Sequence, residues 1–428
     1  MATELFRIKS IDRLLADAEL PERRLKKTLG VLSLTALGVG AVIGTGIFVF
    51  TGTAAAGEIV KYPSLLKAPL LDVLLHGSRA LTTGRPGAGP AIALSFVLVA
   101  MVCGLAALCY AELASMIPIA GSAYTYTYAT LGELVAWIIG WDLILEYAVS
   151  NMGVAVGFSE HVNRLLAGLG VQLPAALSEP AYSPQMGWAL RFNLPGFLIV
   201  MLLTVLLVIG IRESAEANST MVAIKLVAIV IFVAAALRYV DTSNWKPFFP
   251  NSWQGVLTGG AIVFFTYIGF DSVSTAAEEC RNPKRDLPLG ILYSLAVCTF
   301  FYVSVAFVLT GIRPWRTLAN AAPVINALHA IRLYRVERWV TIGALTGMIS
   351  SLLVFQLGQA RVWFAMSRDG LLPPSFSRVH PRFRTPHVAT WIAGIFVGIP
   401  SGIFDIGTLA DLANIGTLFA FVLVSLAV

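Results

Sequence analysis

The sequence predicts an all-α polytopic membrane protein, and three observations predict it. Only 13% of the 428 residues are charged, where soluble domains carry roughly 25%. The mean hydropathy is +0.78. The apolar residues fall into ten long runs, each near the ~20 residues a helix needs to cross hydrocarbon. Runs of this length mean helices, because barrel strands are about ten residues long and alternate strictly, and lipid satisfies no exposed backbone group. A soluble globule, a disordered chain and a fibrous repeat are excluded.

The ten spans lie near 31–55, 90–116, 129–158, 195–211, 217–240, 254–277, 288–311, 338–366, 388–404 and 411–428. Residues 1–30 read as a polar, amphipathic tail with no signal peptide, since no small-residue cleavage site follows a short apolar region. Residues 31–240 form a first five-helix unit and 241–428 a second, with an outer insertion at about 56–89. Two outer segments, Tyr62–Leu81 and Pro323–Val336, read as short helices that lie on the membrane or cap a vestibule. The tenth run reaches Val428 without a flanking charge, so the native chain is expected to continue beyond it. Seven basic residues precede span one, three lie in Arg281–Arg285 and four in Arg368–Arg384. These juxtamembrane clusters favour a cytoplasmic N-terminus. They also account for the net charge of +6 without a nucleic-acid partner. The four cysteines form no C-x-x-C pair and read as packing residues. There is no H-E-x-x-H, so no zinc site is expected, and no ATP-binding P-loop, so a primary pump is disfavoured.

Two spans do not read as plain helices. Span one, from Leu34 to Phe48, holds Gly38, Gly40, Gly44 and Gly46, with Thr45 between the last two. Gly40 and Gly44 suit close helix packing at small-xxx-small spacing. The Gly44-Thr45-Gly46 cluster also invites a break, which would turn free N–H groups and a positive dipole end toward an anionic group such as a carboxylate. In span six, Gly269 and Asp271 interrupt the aromatic run within Phe264–Ser272. A carboxylate near mid-membrane is costly and points to a role. Interruptions five spans apart match the inverted repeats of secondary transporters, whose substrates bind between broken helices.

Lys225 stands in the apolar stretch Thr220–Val230. With a helix starting near Ala217 it lies about 12 Å deep at 1.5 Å per residue, roughly twice the reach of its stem, so snorkelling is awkward. Burial disfavours its ammonium form, which suits a group that gives up and regains a proton; an interfacial or structural lysine is the other reading. Asp142 and Glu146, four apart, share a face of span three. Glu146 reads either as part of a pathway or as a structural buried carboxylate.

The motifs that carry a family likeness are Gly38-Val-Gly-Ala-Val-Ile-Gly-Thr-Gly-Ile-Phe48, Tyr110 through Tyr124, Trp141-Asp-Leu-Ile-Leu-Glu-Tyr147, Tyr267 through Glu279 with Asn282-Pro283, and Arg361 through Pro373. From about residue 27 to its end the chain resembles bacterial members of the amino acid–polyamine–organocation superfamily, close to the cationic amino acid transporter branch. The resemblance implies the LeuT-like 5+5 inverted-repeat fold with helices one and six broken. It implies a secondary active transporter of L-amino acids in the bacterial plasma (inner) membrane, working by alternating access, proton-coupled and sodium-independent, with no cofactor, no metal and no enzymatic activity. An exchanger, or a non-transporting sensor with the same site, stays open. Relatives usually have twelve or more helices; this sequence shows ten, which puts dimerisation in doubt but leaves the repeat core complete.

By the same resemblance the substrate carboxylate falls to Ile43, Gly44, Thr45 and Gly46. The α-ammonium falls to carbonyls in Phe264–Gly269, Ile268 included. Phe265 is the aromatic lid, with Phe264 as the alternative. Lys225 takes the place that a sodium ion holds in sodium-coupled relatives. Phe355 lines the side-chain pocket, where its bulk would favour small or neutral side chains over arginine. Glu146, Asp271 and Phe265 belong to the pathway or gate. Glu112, Arg361, Arg368 and Asp369 read either as an inner gate of ion pairs or as ordinary interfacial charges.

Overall fold

A computed structural model describes residues 8–11, 25, 27–44, 46–61, 82–168, 170–183, 187–320, 322–404 and 406–428. Span one starts as a helix at Val31–Val42. It stops where Ile43 leaves helical geometry (φ −82°, ψ 84°) and resumes as a π-helical turn, Gly46–Phe50, followed by Thr51–Ala56. Span six runs as Ser252–Phe264, tightens to a 3₁₀ turn over Phe265–Tyr267, and breaks at Gly269 (φ +114°). It continues through the short turns Ser272–Thr275 and Ala277–Glu279. Both interruptions fall beside the glycines that the sequence marks; Gly269 is in the left-handed region that glycine enters at little cost, whereas span one breaks at Ile43 without a left-handed glycine.

Among the described residues, six segments are long and apolar enough to cross a membrane by length and composition: Val31–Ala56, Gly89–Met116, Ser214–Tyr239, Ser252–Thr275, Pro283–Ile312 and Tyr334–Arg368. The other four expected spans are the helices Glu133–Gly168, Leu194–Ile209, His387–Ile403 and Ile406–Ala427. The first of these is long but carries Asp142, Glu146 and Glu160; the next two have 16 and 17 residues. The packing repeats with a period of five spans. Spans two, three and four each pack on the span five further along, namely seven, eight and nine. The contact of five with eight is matched by ten with three, and that of one with seven by six with two. This exchange symmetry is the 5+5 repeat.

Several boundaries differ from the sequence reading; spans seven, eight and ten start at Pro283, Tyr334 and Ile406 rather than 288, 338 and 411. Span three starts at Glu133 rather than 129 and runs on to Gly168, because Ala123–Thr130 is a separate helix closed off by Gly132 at φ +98°. Span five starts at Ile211 rather than 217. The expected helix Pro323–Val336 is divided: Pro323–Ala330 ends before Arg332, which has φ +60°, and Tyr334 already opens span eight. Tyr62–Leu81 lies outside the described residues, apart from its flanks. There Gly57–Lys61 pairs antiparallel with Thr82–Pro86, so a small ribbon joins spans one and two.

Candidate functional site

The two breaks meet. A Cβ added to Gly46 would stand 2.5 Å from Thr266 Cβ, and one added to Gly269 would stand 2.7 Å from Ala41 Cβ and 3.0 Å from Phe355 Cε1. A Cβ on Gly44 would reach Ser351 Oγ at 2.4 Å. The glycines thus let the backbones of spans one and six approach each other and span eight more closely than any side chain would allow. Tyr302 of span seven ties the two breaks together. Its hydroxyl lies 2.7 Å from Val42 O and 2.6 Å from Thr266 O, and its ring packs on Tyr267 and Phe96, each at 5.1 Å between centroids.

Ending a helix at Val42 leaves its last carbonyls short of intrahelical donors; Lys225 reaches two of these, on Gly40 and Ile43, and also Val39 O, which already accepts from Ile43 N. Its Nζ donates to Val39 O at 2.9 Å, Gly40 O at 3.0 Å and Ile43 O at 2.7 Å, with Ser350 Oγ at 3.4 Å. The residue is fully buried, fourteen positions into its helix, which is about 21 Å from the helix start. A cation at the negative end of a half-helix dipole is electrostatically favoured. Two of the three carbonyls have a second donor: Ile43 N on Val39 O at 3.0 Å, and Ser351 Oγ on Gly40 O at 2.7 Å. Ser350 Oγ donates to Asn218 Oδ1 at 2.7 Å, and Asn218 Nδ2 donates to Ala36 O at 3.0 Å. Spans one, five and eight are thereby joined by one polar chain.

Aromatic groups surround the breaks. Phe265 packs against Phe50 at 5.1 Å, Phe264 turns to Phe421 of span ten at 5.9 Å, and Phe355 faces Tyr147 at 6.3 Å. Ile43, Ile268 and Phe265 are all buried at this level. Thr45 lies outside the described residues. Tyr147 OH donates to Asp271 Oδ2, and Asp271 Oδ1 has no hydrogen-bond partner among the described residues. Glu146 is buried within the field of the Asp271 and Asp142 carboxylates and beside Gly416 of span ten. Among the described residues no ion pair reaches any of these three carboxylates.

At the end of the bundle that holds the N-terminal tail, the charges do pair. Arg361 Nη2 lies 2.5 Å from Glu279 Oε1 with both side chains buried, and Arg368 Nη1 lies 2.9 Å from Glu278 Oε1. Lys9 Nζ lies 2.7 Å from Asp369 Oδ1, whose other oxygen accepts from Tyr124 OH at 2.7 Å. Thr28 and Leu29 N both donate to Glu279 O at 2.9 Å, and Leu29 bridges to Cys280 as a strand would. Of the four residues expected here, Arg361, Arg368 and Asp369 are in the network. Glu112 is exposed and stands apart from it. Glu278, Glu279, Lys9 and Tyr302 were not singled out from sequence. The adjacent hydroxyls Ser350-Ser351 inside an apolar run were a usable signal; Tyr302 in its aromatic stretch gave none.

A family model described as amino acid permease matches residues 29–428. The chain belongs to the amino acid permease family. The permease is 47% identical over 429 residues to the branched-chain amino acid permease BcaP of Bacillus subtilis (strain 168), an alignment covering all of this chain and 85% of the relative. It is 43% identical over 426 residues to the methylthioribose transporter of the same organism, again covering all of this chain and 85% of the relative. It is 36% identical over 408 residues to cationic amino acid transporter 9, chloroplastic, of Arabidopsis thaliana, covering 94% of this chain and 66% of the relative. Among solved structures, MhsT in complex with L-phenylalanine superposes with a TM-score of 0.61 at 15% identity, covering 94% of this permease and 89% of MhsT. That likeness shows the LeuT-like fold. The permease is a multi-pass membrane transporter, not an enzyme, and its relatives support amino acid transport.

Proposed function

We propose that the permease is a secondary active transporter of neutral L-amino acids that works by alternating access, is coupled to protons and needs no sodium. It would sit in the bacterial plasma membrane with its N-terminus in the cytoplasm, as the basic clusters favour. The observation that carries the proposal is the ammonium of Lys225 on the three carbonyls beside the break in span one. An ammonium presents three donors and a neutral amine at most two. Losing the proton therefore frees at least one carbonyl of the half-helix and loosens its hold on spans five and eight. Of the segment Ile43, Gly44, Thr45 and Gly46, Ile43 N and Gly44 N already donate to Val39 O and Val42 O, each at 3.0 Å, so the substrate carboxylate would bind the N–H groups of Thr45 and Gly46, and its ammonium the carbonyls of Phe264–Gly269, Ile268 included. Phe265 would close over it and Phe355 would limit the side chain. Glu146 and Asp271 would line the inner pathway, and the Arg361–Glu279 and Arg368–Glu278 pairs would hold that pathway shut.

The test is uptake of labelled L-alanine into proteoliposomes in sodium-free buffer, with and without an inward proton gradient. Accumulation stimulated by the gradient is expected. Uptake that appears only into vesicles preloaded with amino acid would replace symport by exchange. Binding without flux in either format would replace transport by sensing. The 43% identity to a methylthioribose transporter favours one second reading. If methylthioribose displaces L-alanine at lower concentration than any amino acid, that reading takes precedence.

A further inference from the structure

Span three carries a polar pair that the site described above leaves unused. Tyr147 lies against Gly358 and Phe355 of span eight, and Gly140, two turns earlier, lies against Met366. The two helices therefore run antiparallel, with 140 opposite 366 and 147 opposite 355–358. One turn further on, Ser150 and Asn151 come level with residues 351–355. Ser351 there touches Gly44, so the pair stands at the height of the break in span one. At 100° per residue, Ser150 and Asn151 flank the direction of Tyr147 by about 60° and 40° on either side. Tyr147 is the residue that meets Asp271 and Phe355.

Both residues are fully buried, at 0% exposure. Ser150 Oγ, Asn151 Nδ2 and Asn151 Oδ1 have no hydrogen-bond partner among the described residues. Other buried hydroxyls in these spans, such as those of Thr204 and Thr310, donate to the carbonyl four residues back; that of Ser150 does not. Buried donors and acceptors are nearly always paired, and leaving them unpaired is costly. The pair offers both donors and an acceptor, all neutral. A hydroxyl, which is donor and acceptor at once, is their simplest complement.

We propose that Ser150 and Asn151 form a hydrogen-bonding ledge for the substrate side chain, so that the site selects neutral L-amino acids bearing a side-chain hydroxyl. This rests on the amino acid site proposed above, in which backbone groups take the carboxylate and ammonium and leave the ledge for the side chain. A site built around buried polar groups rejects an isostere that leaves them unpaired. L-threonine and L-valine differ by a hydroxyl for a methyl at nearly the same shape. The experiment is their competition against labelled L-alanine in proteoliposomes of the full chain, loaded inside with L-alanine. Threonine is expected to compete about tenfold more strongly than valine, the factor for one buried hydrogen bond. The ratio should fall to below about threefold in Ser150→Ala and toward valine in Asn151→Leu. Because the ratio is internal to each variant, differences in yield cancel, and the small Ser150→Ala change keeps the test open if Asn151→Leu does not fold. Equal competition by the two in the unmodified protein, or a threonine preference that both variants keep, overturns the ledge while alanine uptake leaves the amino acid site standing. No uptake or binding of any amino acid overturns that site and the ledge with it.

Discussion

Replacing Lys225 by methionine tests the coupling proposal most directly, because methionine keeps most of the stem and removes only the donors. Val39 O and Gly40 O retain Ile43 N and Ser351 Oγ as partners, so the carbonyl left without its donor is that of Ile43. An orphaned buried carbonyl costs about 1–3 kcal/mol in water-soluble proteins, whereas polar contacts between membrane helices average about 0.6 kcal/mol. The expected destabilisation is therefore about 1–2 kcal/mol. At about 2–4 °C per kcal/mol for domains of 150–250 residues, the fall in Tm in detergent should not exceed about 8 °C, and the protein should still fold and insert. Uptake should respond differently. The ratio of initial L-alanine uptake with an inward proton gradient to uptake without it should drop to about one. A folded Lys225→Met protein that keeps the wild-type ratio would refute the coupling role. A protein that fails to insert at all would refute the stability reasoning and assign Lys225 to structure.

Three further outcomes are expected. Gly269→Ala places a side chain at φ +114° and against Ala41 Cβ at 2.7 Å, so it should cost at least about 1–2 kcal/mol of strain and lower L-alanine affinity, read by competition binding. Arg361→Met leaves Glu279 buried without its cation; it should lower stability by about 3–5 kcal/mol, and adding Glu279→Gln should recover a large part of this in a thermal double-mutant cycle. Phe355→Ser opens space between Tyr147 and Gly269 and should raise uptake of arginine relative to alanine; an unchanged ratio would remove Phe355 from the pocket.

The elements that were legible in the sequence are those that break a local rule. Gly44-Thr45-Gly46 and Gly269 interrupt runs that would otherwise be uniform helices, and Lys225 and Asp271 are charges where lipid would tolerate none. Each stands out against its own neighbours, so no long-range information is needed. What was not legible depends on partners distant along the chain. Arg361 and Glu279 are 82 positions apart, and Arg368 and Glu278 are 90. Nothing in either segment identifies the other, and Glu112 was an equally plausible member until the fold left it exposed. The short helix Ala123–Thr130 carries the same mix of aromatic and small residues as the start of a span, so its separation from span three hangs on the backbone at Gly132 alone. Arg332 follows the helix Pro323–Ala330 at positive φ without the Gly or Asn that would have announced its end.

Tyr302 carries one hydroxyl hydrogen and faces two carbonyls, Val42 O and Thr266 O, at almost equal distance. At any instant one broken helix holds the better bond and the other is short by most of one. Passing the hydrogen from one to the other needs only a rotation about the C–O bond of the phenol, so the clasp changes sides without being released. The interior of the protein therefore contains a joint in which one hydrogen serves an acceptor on each broken helix.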